Sequence, residues 1–119
     1  MNTLKITNHL LRRRQDILNK LEKTGLYFEE DFFDIILEED LYENPTPHIV
    51  LAKIKVALFG SRLLHFKATG DWFLLDQNKD IKIVKEQILI DLLRFLGQEI
   101  FQSSFDEKDL DKTLKLLRK

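Results

Sequence analysis

Asp71, Asp80 and Lys82 lie close together in the chain and hold the makings of one reaction. With Asp71 on one strand and Asp80-Ile81-Lys82 on the next, two carboxylates would hold a divalent ion while the ammonium assists phosphodiester hydrolysis. Turn arithmetic opposes this. If Asp71 opens a strand that ends at Asp76, and the chain reverses through Gln77-Asn78-Lys79, Asp80 returns beside Asp76. Asp71 then lies about 15 Å away, five residues at strand rise. The plain reading gives Asp71 to a turn and Asp80 to an N-cap.

A metal-dependent nuclease of the PD-(D/E)xK type is therefore a remote third reading, and other catalytic patterns are missing from the sequence. The chain has no cysteine, which excludes thiolate nucleophiles, disulfides and Cys-based zinc sites together. His9, His48 and His65 share no ligand spacing and read as ordinary surface or helix-end residues. Ser61, Ser103 and Ser104 sit in no nucleophile-elbow pattern. Gly60 and Gly70 are isolated, so no loop is built to cradle a phosphate. The expectation is a non-catalytic protein without cofactor or metal.

Charge is the stronger signal. The formal net charge is −1, but Tyr27 to Glu43 contains eight acidic residues and no Lys or Arg. The other 12 of the 20 acids face all 19 basic residues, a surplus of +7. Such segregation suits two readings, a plainly solvated acidic face or a binding face for a cationic partner. The candidate binding residues are Glu30, Asp31, Asp34, Glu38, Glu39 and Asp40. Glu30/Asp34 and Asp34/Glu38 also have the i,i+4 spacing of helical metal ligands. A carboxylate metal site needs a convergent histidine or acids from other helices, and none is evident. Arg12-Arg13-Arg14 is the only basic triplet. Three consecutive helical residues spread over about 200°, so it reads as counter-charge for the acidic helix rather than a phosphate-binding row.

The elements that carry these residues follow from periodicity. Leu4, Leu11 and Leu18 recur every seven residues, with Leu10, Ile17 and Leu21 beside them, and predict a helix over 3–24 that stops at Gly25. Phe28, Phe32, Ile35 and Ile36 predict a second helix over 28–42, ended by the pre-proline Asn44. Thr46-Pro47 opens a third, buried helix that ends near Gly60. A strand competes over Ile49 to Val56, which is rich in β-branched residues. A two-residue Thr69-Gly70 turn would pair Phe66 with Phe73 and Leu64 with Leu75 on an inward face, leaving Lys67 over Trp72 outside. A fourth helix is expected over 81–101, with Gln87, Asp91, Arg94, Gln98 and Gln102 as its polar stripe; Asp80 to Val84 would alternatively extend the sheet. Ser104 and Glu107 make a capping box for a fifth helix.

At 119 residues these elements make one domain. The fold class is mainly α with a small β-hairpin (α+β), in the order α-α-α-β-β-α-α. From the second helix to the hairpin, that order is also the order of the second half of a winged helix-turn-helix. The leading functional reading is a non-catalytic protein-binding module, of inhibitor, immunity or adaptor type, whose acidic helix engages a basic protein surface. The alternative is a winged-helix DNA-binding regulator using His48, Lys53, Lys55 and Lys67. No apolar run has the length of a membrane span, and the start lacks a signal-peptide core. A cytoplasmic location without membrane contact is expected, and a homodimer is compatible with the sequence.

Overall fold

The computed structural model describes residues 3–43 and 46–119. The expected stop at Asn44 lies outside them. Six α-helices and a three-stranded antiparallel sheet are described: α1 Thr3–Arg12, α2 Arg14–Glu22, α3 Phe32–Ile36, α4 Pro47–Phe59, β1 Leu63–Phe66, β2 Asp71–Leu75, β3 Ile81–Val84, α5 Glu86–Phe101 and α6 Glu107–Leu117. Short 3₁₀ turns cover Glu39–Tyr42 and Gln102–Ser104. Among the described residues, no helix is long and apolar enough to cross a membrane.

The predicted first helix is two helices. Arg13 leaves helical geometry (φ −96°, ψ 6°), and its guanidinium reaches Glu99 on α5 at 2.8 Å. The buried face is Ile6, Leu10, Ile17 and Leu21. Their spacing of four, seven and four returns each side chain to one side of the helix axis. The seven-residue repeat is not the core stripe: Leu4 and Leu11 remain 53% and 50% exposed.

The predicted acidic helix over 28–42 is replaced by the five-residue α3 and a 3₁₀ turn. Two hydrogen bonds, one of them to α4, outcompete helix propensity at its ends. The Glu29 N–H donates to the Leu58 carbonyl at 2.7 Å, and the Tyr42 hydroxyl donates to the Ile36 carbonyl at 2.6 Å. Between them Glu38 is extended (φ −67°, ψ 122°). The break falls where Glu38, Glu39 and Asp40 would have stacked negative charge on the negative end of a continuous helix. Burial pushes the Tyr42 phenol pKa up, so Tyr42 stays a neutral donor.

Ile49 to Val56 is helical, which settles the alternative in favour of α4. This helix is central. Val50, Leu51, Ile54, Ala57, Leu58 and Phe59 are buried on it, and it packs against α3, α5 and α6. Gly60, at φ +59°, ends it.

The sheet departs furthest from expectation. β1 and β2 are joined by four residues, Lys67 to Gly70, not two. Leu64 therefore pairs with Phe73, and Phe66 with Asp71. Leu63, Trp72, Leu74 and Val84 face the core, whereas Leu64, Phe66, Ile81 and Ile83 are exposed. The expected inward face is the outward one. Alternation cannot choose between two apolar faces. Trp72 decides the matter: it has more apolar surface to bury, and its indole N–H finds Glu86 at 2.8 Å on the first turn of α5. β3 pairs with β2 through Phe73–Ile83 and Leu75–Ile81. The 81–84 segment thus extends the sheet, and α5 begins only at Glu86.

At the C-terminal end, the capping box is Asp106 with Asp109, each side chain accepting the other's backbone N–H. Ser104 and Glu107 do not form it. The Ser104 hydroxyl donates to the Phe101 carbonyl, and Glu107 accepts from Arg94.

Candidate functional site

The acidic segment sits on a packed base. Phe32, Phe33, Ile36 and Tyr42 are buried, and Phe32 and Phe33 meet edge to face at 6.2 Å. Above this base Glu30, Asp31, Asp34, Glu38, Glu39, Asp40 and Glu43 are all exposed. Among the described residues, none of these seven carboxylates forms an ion pair. Glu29, the eighth acid, pairs with Arg62 at 2.9 Å. The arginine triplet does not neutralise the rest. Arg13 is held by Glu99 and Asp16, and Arg14 lies over the Phe33 ring at 5.0 Å. Among the described residues no ion pair joins the triplet to these acids: Arg13 is turned towards Glu99 on α5, while Arg14 stays beside the acidic segment over Phe33.

The alternative nucleic-acid set is scattered. His48 is half-buried at the start of α4, Lys53 is exposed, and Lys55 is half-buried. Burial lowers the Lys55 pKa. Two residues apart on a helix, Lys53 and Lys55 point about 200° apart. Lys67 is in the β1–β2 loop, beside the apolar outer sheet face rather than a basic one.

Asp71 and Lys82 face opposite sides of the sheet, since Lys82 pairs with Leu74 on the core side. The Lys82 ammonium donates to the Gly25 carbonyl at 3.0 Å. The Asp80 N–H donates to Asp76 Oδ1 at 3.0 Å. The structure thus leaves Asp71 at the other end of β2 from Asp80. Among the described residues, no group of three or more His, Asp or Glu side chains is placed to hold a metal ion.

Three features escaped the sequence reading. One is the exposed apolar face of the sheet. The second is a cluster under it: His65 packs against Trp72 with the rings tilted and their centres 4.6 Å apart, and Glu86 accepts from both Trp72 and Arg118. His65 is therefore no ordinary surface residue; its Nδ1 is buried without a partner. Burial alone would raise the Glu86 pKa, but hydrogen bonds from Arg118 and Trp72 overcome it, and the pKa is lowered. The third is Glu99, which accepts from Arg13 at 2.8 Å and pairs with His9 at 3.2 Å. The Arg13 hydrogen bond lowers the Glu99 pKa against the opposing effect of burial. Both carboxylates have each oxygen engaged. They staple helices and sheet together rather than offering a free base. Cross-strand register and helix contacts bring these partners together, and no spacing in the chain foretells them.

Compared with known family models, curated proteins and solved structures, the chain matches none.

Proposed function

We propose that the protein is a non-catalytic binding module whose acidic segment engages a basic protein surface. The observation that carries this reading is the set of seven exposed carboxylates, Glu30 to Glu43, without an ion pair among the described residues, in a chain that pairs Glu29, Glu86, Glu99 and Glu107. Like charges crowded in this way cost a few tenths of a kcal/mol per close pair. Folding gains nothing from them, whereas a cationic partner gains both steering and selectivity. The buried Phe32, Phe33, Ile36 and Tyr42 hold the segment in place, so little conformational freedom is lost when a partner docks. An inhibitor, an immunity protein or an adaptor would work in this way.

The test is capture from native lysate, at low and high salt, on immobilised wild-type protein and on a variant carrying Glu30→Gln, Asp31→Asn, Asp34→Asn, Glu38→Gln, Glu39→Gln and Asp40→Asn. The reading expects a partner retained by the wild type at low salt, released at high salt, and absent from the variant. A set of captured proteins identical for the two would refute it, provided both melt alike.

A further inference from the structure

We infer that the outer face of the sheet is the contact surface for a second copy of this chain. The face consists of Leu64 and Phe66 from β1, Phe73 and Leu75 from β2, and Ile81 and Ile83 from β3. Leu64, Phe73 and Ile83 form one row across the three strands, and Leu75 and Ile81 form the next. Phe66 and Phe73 meet edge to face at 5.8 Å. An antiparallel sheet with one solvated side places polar residues on that side. Here Leu64, Phe66, Ile81 and Ile83 are 63%, 55%, 70% and 63% exposed. Together with Leu75 they present on the order of 500 Å² of surface, near the top of the range for the largest apolar patch on a monomer.

Area and charge select the occupant. A stable interface buries about 800 Å² on each partner, and this patch supplies roughly two thirds of that before its rim is counted. The strand ends carry Lys67, Lys79 and Lys85 against Asp71, Asp76 and Asp80, and Arg62, which precedes β1, is already paired with Glu29. A neutral rim around an apolar centre matches a copy of itself, the isologous contact of a two-fold dimer. An anionic lipid surface or a nucleic acid would call for a basic rim. β2 is paired on both edges and β1 and β3 each on one, so a second sheet stacked about 10 Å above this face covers side chains rather than the free strand edges.

The experiment is sedimentation equilibrium of the full chain over a range of concentrations, repeated for Phe66→Lys and for Ile83→Lys. Both residues are exposed, and far-ultraviolet circular dichroism confirms that each variant is folded. The wild type should reach dimer mass, with each variant weakening association by roughly 30-fold or more, the loss of one interface anchor worth about 2 kcal/mol. A second readout uses the absence of cysteine from the chain. Ile83→Cys should cross-link between copies under oxidation, whereas Lys112→Cys, exposed on α6, should not. A wild type that stays monomeric throughout overturns the inference, as does a dimer untouched by both lysine variants or cross-linked equally through Lys112→Cys. Vesicle flotation of the monomeric wild type would assign the face to lipid and overturn it too.

Discussion

The outer sheet face and the acidic segment are the two surfaces that folding alone does not account for, and they are opposites. One exposes Leu64, Phe66, Ile81 and Ile83 where polar residues would suit water. The other exposes seven carboxylates that form no ion pair among the described residues. Apolar burial has no direction and little dependence on salt. Carboxylate attraction is long-ranged and is screened within about 10 Å at 0.1 M salt. Under the two proposals, one contact surface is thus set by shape and area, and the other by charge and rate. Both rest on buried aromatic anchors: Trp72 under the sheet, and Phe32, Phe33 and Tyr42 under the acids.

The largest expected effect lies on the hidden side of the sheet. Trp72→Ala should cost about 3–5 kcal/mol, because it opens a cavity and strips Glu86 of a donor. Phe66→Ala, on the open side, should cost under about 1 kcal/mol when measured on the monomer. Urea melts of the two variants decide this. Equal losses would erase the distinction between the faces and mean that Phe66 is core.

Next comes the contrast between paired and unpaired carboxylates. The Glu99 and Glu86 pKa values are lowered by folding. A carboxyl with a lowered folded value binds its proton more readily when unfolded. Its contribution is therefore complete at neutral pH. It is lost as pH falls from about 4.3, the unfolded glutamate value, through the lower folded one. Glu99→Gln should be less stable than the wild type at pH 7 and should lose less stability between pH 5 and 3. Melting temperatures across that range give the answer, and parallel pH profiles would show that Glu99 gains nothing from Arg13 and His9.

The smallest effect belongs to the acidic segment. Glu38→Gln, Glu39→Gln and Asp40→Asn together should leave stability unchanged or raise it by a few tenths of a kcal/mol. Marked destabilisation in a thermal melt would mean that these acids support the fold, and the comparison with Glu99 would collapse.

The sequence discloses this molecule unevenly, for physical reasons. The central α4 is legible because Pro47 and Gly60 bracket an almost wholly apolar run. The left-handed stop at Gly25 (φ +71°) and the return of Asp80 beside Asp76 are legible because local turn chemistry decides them. The side of the sheet that faces inward is not, since β1 and β2 are apolar on both faces and only the Trp72–Glu86 contact breaks the tie. Nor is the length of the acidic helix, because the Leu58 carbonyl on α4 captures the Glu29 N–H and the Tyr42 side chain folds back onto the Ile36 carbonyl. The acids themselves are plain in the sequence; that Arg13 pairs with Glu99 on α5 and not with them is set by tertiary packing that no local pattern shows.

The central claim, a charge-driven contact through the acidic segment, is tested most directly by association kinetics. The rate constant for the captured basic partner is measured against ionic strength, for the wild type and for the six-residue Gln/Asn variant. A fast wild-type rate that falls steeply with salt, beside a slow variant rate that barely responds, is the predicted result. Equal rates with equal salt dependence would contradict it and place the contact elsewhere on the molecule.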